Sequence, residues 1–154
     1  SMTTRKQRDG EIDGVHYRFV SEQRFLEAIE NNELLEYAEF VGNYYGTPLA
    51  EVERLRDRGK NVLLEIEVQG ALQVKERCPD ALMIFIVPPS LEELRRRILT
   101  RKTESEEVIQ KRLEKAQKEM ELTGQYKYVV CNDDPQLAAD IISVIIARHN
   151  ETIL

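Results

Sequence analysis

The stretch from Val62 to Val87, VLLEIEVQGALQVKERCPDALMIFIV, decides the fold of this chain. It contains two apolar runs, residues 62–66 and 82–87, and residues 70–77 between them have the pattern of a helix. Continuous apolar runs are typical of strands that are buried on both faces, and two such strands joined by a helix are typical of a parallel sheet. We therefore predict an α/β fold with a parallel sheet core flanked by helices.

Capping residues indicate where the other helices begin. A serine or threonine followed three residues later by glutamate is typical of a helix start, and proline favours the first turn. The first predicted helix follows Ser21, ends near residue 31 and has Phe25, Ala28 and Ile29 on its inner face. The remaining helices are predicted from Thr47-Pro48 to about residue 59, from Ser90-x-x-Glu93 onward, from Thr103-x-x-Glu106 to about residue 122, and over residues 135–147.

The first third of the chain differs from the rest. It combines turns, one helix and short strands, of which residues 34–40 place Glu36 and Tyr37 on opposite faces. We expect residues 5–46 to form a subdomain that is inserted into the core. The core is predicted to comprise residues 47–96 and 127–154, with a third strand at 128–130, and residues 97–126 are predicted to form a lid.

Composition excludes several classes of function. The chain has 154 residues, of which 42% are hydrophobic, so it can bury a core as one domain. Its formal net charge of −6 provides no basic field for nucleic acid. No apolar run approaches the ~18 residues that suggest a membrane span, and Cys78 and Cys131 are too few for a disulfide framework. We expect a soluble cytoplasmic protein, either a monomer or a homodimer, that binds neither nucleic acid nor membrane.

Two arginines and two tyrosines form a candidate anion site. Arg5 and Arg8 lie near the start of the chain, Tyr17 follows, and Tyr45 lies in the turn Gly42-Asn43-Tyr44-Tyr45-Gly46-Thr47. Guanidinium forks match phosphate oxygens, and phenol hydroxyls add neutral donors. The alternatives are a solvated basic arm for the arginines and simple packing for Tyr45. The joint pattern favours a small dianion.

An acidic residue lies within this constellation. Glu36 sits on the predicted strand 34–40, where it is either an outward-facing acid or an acceptor for a ligand. A carboxylate can accept two hydrogen bonds from adjacent N–H groups of guanine, whereas adenine lacks that donor pair. Thr47 could then donate its hydroxyl to the guanine carbonyl oxygen. The pattern favours a guanine nucleotide.

Further charged residues suggest phosphoryl chemistry. Glu65 and Glu67 follow the first apolar run and point to the same side, so they either form a polar strand end or face a ligand crevice, where an acid can hold Mg2+ through water. Arg97, Arg101 and Arg112 either belong to solvated helices or close over phosphates as part of a lid.

These residues together resemble the guanylate kinase family, whose members transfer a phosphoryl group from ATP to GMP. The resemblance covers essentially the whole chain, 1–154, and implies a P-loop-kinase-like core with a GMP-binding subdomain and a helical lid. The motifs that carry it are Ser1-x-Thr3-Thr4-Arg5-x-x-Arg8-x-Gly10-Glu11, Asp13-Gly14-x-x-Tyr17-x-Phe19, Gly42-Asn43-Tyr44-Tyr45-Gly46-Thr47, Leu64-Glu65-Ile66-Glu67-x-Gln69-Gly70, Pro88-Pro89-Ser90, Arg101-x-Thr103-Glu104 and Asn132-Asp133.

The resemblance also implies a role for each candidate residue. Mg2+ with ATP is the implied cofactor and co-substrate, and GMP is the implied acceptor. The implied assignments are guanine reading by Ser1, Glu36 and Thr47; phosphate binding by Arg5, Arg8, Tyr17 and Tyr45; contact with GMP by Glu67; metal binding through water by Glu65; catalysis and ATP binding by Arg97 and Arg101; catalysis by Arg112; and adenine contact by Asn132.

The chain departs from the family pattern in three places. Lys102 stands where the family commonly has glycine, and His16 stands where it has an acid. The Gly-x-x-Gly-x-Gly-Lys phosphate loop and its strand are absent from the sequence. We therefore expect this chain by itself to be inactive and the protein with such a loop to be the kinase. A catalytically inactive relative that binds phosphopeptides or protein partners is the alternative.

Overall fold

The structure is a computed structural model that describes residues 1–40, 42–100 and 106–153. The chain folds into two compact units, Ser1–Ala81 and Leu82–Leu154. Both contain strands and helices, which agrees with the predicted α/β class. In the described residues, no helix is long and apolar enough to cross a membrane.

A four-stranded sheet forms the centre of the first unit. Its strands are β1 (Met2–Thr3), β2 (Arg18–Phe19), β3 (Leu34–Phe40) and β4 (Asn43–Pro48), in the order β2-β1-β4-β3. β1 and β2 are parallel, and β4 is antiparallel to both β1 and β3. The sheet uses Met2, Thr3, Thr47 and Pro48 in addition to the range 5–46; the division into subdomain, core and lid stays a prediction.

Helix α1 (Glu22–Glu30) forms as the sequence predicts. The hydroxyl of Ser21 accepts a hydrogen bond from the Arg24 backbone N–H at 3.1 Å, which satisfies one of the unpaired donors of the first turn. The inner face of the helix buries Phe25 and Ala28 against Met2 and Leu34. The strand predicted at residues 34–40 is confirmed as β3.

Thr47 does not cap the next helix, contrary to the prediction. Thr47 belongs to β4, and α2 (Leu49–Asp57) begins after Pro48 without a side-chain cap. The Thr47 hydroxyl donates instead to the Glu36 carboxylate at 2.6 Å. Thr47 does not cap α2 because it pairs with Glu36 across β3 and β4, and Pro48 takes the position before the helix.

The predicted strand at residues 62–66 is also wrong. The segment has no assigned strand structure: Val62, Leu64 and Ile66 pack on the buried cluster of Leu35, Val52 and Val74, while Leu63 is 81% exposed. No strand pairs with it among the described residues. An extended segment counts as a strand only when a neighbour supplies hydrogen bonds, and its composition alone cannot show that. Helix α3 (Val68–Arg77) follows directly and starts two residues earlier than predicted.

The second unit contains a parallel pair, but it is formed by the second apolar run and the third predicted strand, not by the two apolar runs from which the parallel sheet was predicted. Strands β5 (Ile84–Val87) and β6 (Tyr128–Cys131) run parallel, with Ile84 opposite Tyr128 and Val87 opposite Cys131. Between them lie α4 (Leu91–Thr100), α5 (Glu106–Met120) and a short 3-10 helix (Thr123–Gln125).

One helix of this unit begins at the predicted cap, and another is longer than predicted. The Ser90 hydroxyl accepts from the Glu93 N–H at 3.0 Å, as predicted for the start of α4. Helix α6 (Pro135–Ile153) is longer than predicted, and the Asp134 carboxylate caps it by accepting from the Leu137 N–H at 2.8 Å. The cap predicted at Thr103 lies outside the described residues.

Candidate active site

A buried carboxylate marks the centre of the first unit. Glu36 is only 4% exposed, which is rare for an acid. A register shift between Leu34 and Glu36 sets Glu36 directly opposite Thr47 across β3 and β4. Oε1 of Glu36 accepts the hydroxyl hydrogen of Thr47 at 2.6 Å. The carboxylate is therefore held in one orientation by a buried partner.

The other carboxylate oxygen of Glu36 rests on helix α3. A β-carbon built at Gly70 would overlap Oε2 of Glu36 and would lie 3.0 Å from its Cδ. Gly70 is in the first turn of α3, whose N-terminal end carries a partial positive charge that favours a nearby anion. Glycine is required here because a side chain would occupy the space of the carboxylate.

The environment of Glu36 disfavours its charge. Burial raises the pKa of the Glu36 carboxyl above its ordinary value, and the negative charge of Glu67 raises it further, while the hydrogen bond from Thr47 lowers it. Within the described part of the chain, no lysine or arginine pairs with this carboxylate. A ligand that donates N–H groups to this buried carboxylate would therefore stabilise its charged form.

A second cluster is centred on Arg5. Its guanidinium donates two hydrogen bonds to Glu11, at 2.7 Å to Oε1 and 3.0 Å to Oε2. The guanidinium carbon lies 5.6 Å from the ring centres of Tyr17 and of Phe19, within the range of cation–π attraction. The Tyr17 and Tyr45 rings lie edge to face, with their centres 6.2 Å apart. Arg5, Tyr17 and Tyr45 are thus brought together.

Glu11 orients this cluster. The two hydrogen bonds from Arg5, and then the backbone N–H of Arg8 at 2.7 Å, lower the pKa of the Glu11 carboxyl to about 2. Glu11 is therefore ionised at any physiological pH and keeps Arg5 in place. The side chain of Arg8 is exposed. Its backbone N–H, not its guanidinium, is what joins it to the cluster.

The remaining predicted residues of the first unit are less buried. Ser1 is exposed, and its carbonyl accepts from the Arg18 N–H at 2.8 Å. Glu65 is exposed, and Glu67 is half-buried at the start of α3. The two acids lie in the unpaired segment rather than at the end of a strand, which corrects the predicted sheet edge. Glu67 is near enough to Glu36 to raise its pKa.

The arginines of the second unit form a separate set. Arg97 donates to Glu93 at 2.6 Å and to the Asn132 carbonyl at 2.8 Å, so it ties α4 to the residue after β6. Hydrogen bonds from Arg96 and then Arg97 lower the pKa of the Glu93 carboxyl to about 2.

The three remaining candidate residues for ATP binding and catalysis are Arg112, Asn132 and Arg101. Arg112 is half-buried on α5. The side-chain oxygen of Asn132 is buried without a hydrogen-bond partner in the described part of the chain. Arg101 lies outside the described residues. An unpaired buried acceptor suits a ligand donor, because leaving it unpaired costs about 1–3 kcal/mol.

The family is decided by comparison of the whole chain. The family model described as guanylate kinase matches residues 1–148. The chain belongs to the guanylate kinase family. It is 58% identical over 150 residues to the guanylate kinase of Lactococcus lactis and 56% identical over 150 residues to that of Halalkalibacterium halodurans. These alignments cover 97% of this chain and 73% and 74% of the two relatives.

Solved structures agree with this assignment to the guanylate kinase family. The crystal structure of guanylate kinase from Anaplasma phagocytophilum matches with a TM-score of 0.77 and 37% sequence identity. The match covers 96% of this chain and 73% of that chain. The P-loop-kinase-like α/β fold and the membership of an enzyme family are thereby confirmed.

The side chains alone do not form a metal site in the part of this chain that the structure describes. In residues 1–40, 42–100 and 106–153, no three His, Cys, Asp or Glu side chains are grouped to hold a metal ion. Glu65 offers one exposed carboxylate. That donor fits an ion that keeps most of its waters and is held mainly by substrate phosphates, as Mg2+ usually is.

The sequence did not reveal the contacts of four residues that shape these clusters. Glu11 and Gly70 lie within the quoted motifs, and the three-residue spacing from Arg8 to Glu11 could have suggested a turn. Glu93 was assigned only a capping role, whereas its carboxylate binds Arg97. Gln73 contacts the backbone of β3, and no local signal in the sequence indicates that contact.

Proposed function

We propose that this protein transfers a phosphoryl group from ATP to GMP, giving ADP and GDP, and that its first unit binds GMP. The buried, oriented carboxylate of Glu36 is the observation that carries the proposal. It can accept hydrogen bonds from the two adjacent N–H groups of guanine. Adenine lacks this adjacent pair of N–H donors, so it would leave one carboxylate oxygen of Glu36 unpaired, at a cost of about 1–3 kcal/mol.

Thr47 and Ser1 complete the guanine end of the proposed site. The Thr47 hydroxyl has one hydrogen, which points to Glu36 in the structure. To donate to the guanine carbonyl it has to rotate, so guanine N–H groups replace it as donors to the carboxylate. Ser1 and Glu67 are proposed to border the base, Ser1 from the exposed end of β1 and Glu67 from the start of α3.

Arg5, Arg8, Tyr17 and Tyr45 are proposed to hold the GMP phosphate. Arg5 is already oriented by Glu11 and packed on Tyr17, so little side-chain freedom is lost when phosphate binds. The exposed guanidinium of Arg8 can swing to the same dianion. The binding energy of the phosphate thereby places the acceptor oxygen for attack.

The second unit is proposed to act on the donor side. Arg97, Arg101 and Arg112 would neutralise charge on the transferred phosphoryl group, and Asn132 would contact adenine through its buried oxygen. Mg2+ would arrive with ATP and contact Glu65 through water. Catalysis then consists of positioning and charge neutralisation, without a covalent intermediate. Residues 97–126 are proposed as the lid, residues 5–46 as the GMP-binding subdomain and the cytoplasm as the location.

Ligand-dependent thermal unfolding tests the acceptor site. The chain is melted alone, with GMP and with AMP at equal concentrations, and Glu36→Gln serves as the site variant. A ligand at a hundred times its Kd stabilises by about 2.7 kcal/mol, so GMP should raise Tm by several degrees and AMP should not. Glu36→Gln should abolish the difference. A cooperative melt whose Tm is changed by neither nucleotide contradicts the proposal and favours a phosphopeptide-binding module.

Phosphoryl transfer is tested by following ADP formation from ATP with GMP or AMP present. Because the sequence contains no donor-phosphate loop, we expect this chain alone to be inactive, so the rate is measured with the chain joined to such a loop. The GMP-dependent part of the rate should fall in Arg112→Ala and persist in Lys118→Ala, an exposed residue on the same helix. A rate that is equal with GMP and AMP argues against the proposed acceptor.

A further inference from the structure

One side of β3 is held by side chains of α3 instead of by another strand. In the sheet order β2-β1-β4-β3, β3 is at the edge. The Gln73 side-chain oxygen accepts the Tyr37 backbone N–H at 3.1 Å, and its amide nitrogen donates to the Tyr37 carbonyl at 2.7 Å. One turn further along α3, the Arg77 guanidinium donates to the Leu34 carbonyl. Gln73 thus makes both backbone bonds that a neighbouring strand would make.

This contact fixes α3 next to the carboxylate of Glu36. Tyr37 follows Glu36 directly in β3, and Gly70 precedes Gln73 by one helical turn. The carboxylate touches Gly70, so the distance from β3 to the first turn of α3 determines where Oε2 can lie. A two-point contact at Tyr37 sets both that distance and the register of the helix along the strand.

We propose that Gln73 is a positioning residue for guanine recognition: by binding both backbone groups of Tyr37, it holds α3 so that Glu36 keeps the orientation in which it accepts the guanine N–H groups. The inference rests on the proposed function, in which Glu36 reads the base. Gln73 is 36 positions from Tyr37 in the sequence, and in this proposal it acts through α3 and not by contact with the base.

Glutamine is suited to this task because its amide is both a donor and an acceptor at one fixed spacing. Glutamate keeps the acceptor for the Tyr37 N–H but places a second oxygen against the Tyr37 carbonyl. Methionine has a similar length and makes neither hydrogen bond. In both variants the edge of β3 beside Glu36 loses its fixed spacing from α3.

The test measures Kd for GMP and for AMP by calorimetry in the unmodified chain and in Gln73→Met, Gln73→Glu and Glu36→Gln. Gln23→Met is the matched control, since Gln23 lies exposed on α1 and its side-chain amide donates to the Glu27 carboxylate. Gln73→Met should weaken GMP binding roughly tenfold and change AMP binding by less than about twofold, so that selectivity falls. In the Glu36→Gln background, Gln73→Met should have little further effect.

The outcomes separate this inference from the proposed function. Lost selectivity in Gln73→Met, absent in Gln23→Met, supports a positioning role. If Glu36→Gln loses selectivity and the Gln73 variants keep it, the positioning role is overturned and the guanine site stands. If the unmodified chain binds GMP no better than AMP, both fail. Should Gln73→Met melt without cooperativity, Gln73→Glu is judged by the same criteria.

Discussion

The space that Gly70 leaves for the Glu36 carboxylate makes Gly70→Ala an informative substitution. A β-carbon at residue 70 would lie 3.0 Å from Cδ of Glu36 and closer still to Oε2. Replacing a glycine within a helix by alanine normally stabilises by about 1 kcal/mol, whereas overpacking a filled site costs about 1–3 kcal/mol. The two effects oppose each other. We expect the free energy of unfolding to change by less than about 2 kcal/mol, and the carboxylate to be displaced.

Displacement of the carboxylate should be visible in binding. A hydrogen bond to a charged group contributes about 1.5–3 kcal/mol, so loss of one guanine contact weakens GMP roughly ten- to hundredfold. AMP, which does not use both oxygens, should bind as before. Kd for both nucleotides is measured by calorimetry, and the free energy of unfolding by denaturant titration.

Gly124→Ala is the matched control for this prediction. Nothing lies within 4 Å of a β-carbon at Gly124, so the same chemical change meets open space there. It should leave GMP affinity unchanged. If Gly70→Ala binds GMP as tightly as the unmodified chain while folding cooperatively, the argument that Gly70 makes room for a guanine-reading carboxylate is refuted.

Three further predictions concern the same unit. Thr47→Val removes the donor to Glu36 and should weaken GMP about tenfold in calorimetry while leaving AMP unchanged; equal weakening of both nucleotides would contradict it. Glu36→Gln should raise Tm at pH 7 although it weakens GMP binding. The folded state raises the pKa of the Glu36 carboxyl, so the stability that this carboxyl contributes at low pH is lost as pH rises through the folded-state pKa. A lower Tm in Glu36→Gln would refute this argument. Glu11→Gln should make Tm depend less on pH in the acid range. The pKa of the Glu11 carboxyl is lowered to about 2, so its ionised form stabilises the folded chain above about pH 4.3 and this stabilisation disappears as pH falls toward 2. Identical acid melts of the variant and the unmodified chain would argue against the pairing with Arg5.

Local patterns in the sequence predicted most of the elements. Ser21 caps α1 and Ser90 caps α4, and the apolar runs around Ile84 and Tyr128 form strands as expected. These features depend on residues within a few positions of each other, so spacing alone reveals them. The strand predicted at residues 62–66 fails because strand formation depends on a distant neighbour that the segment does not contain.

The candidate site could be predicted only in part. Arginine, tyrosine and glutamate chemistry pointed to a guanine monophosphate, and the motifs pointed to the family. The assignments of individual roles stay predictions. The sequence did not indicate that Glu11 holds Arg5 or that Glu93 holds Arg97, because carboxylates near arginines are common on solvated surfaces and most such pairs matter little.

The sequence by itself determined the class of fold, the family and the residue types that are proposed to recognise the ligand. Only the tertiary structure decided how the Glu36 side chain is held. Its neighbours Thr47 and Gly70 come from another strand and from a helix, and Gln73 binds Tyr37, which is 36 positions away in the sequence. Such contacts form only when chain closure brings remote segments together, and burial there, not local propensity, sets the orientation and the raised pKa of the carboxyl.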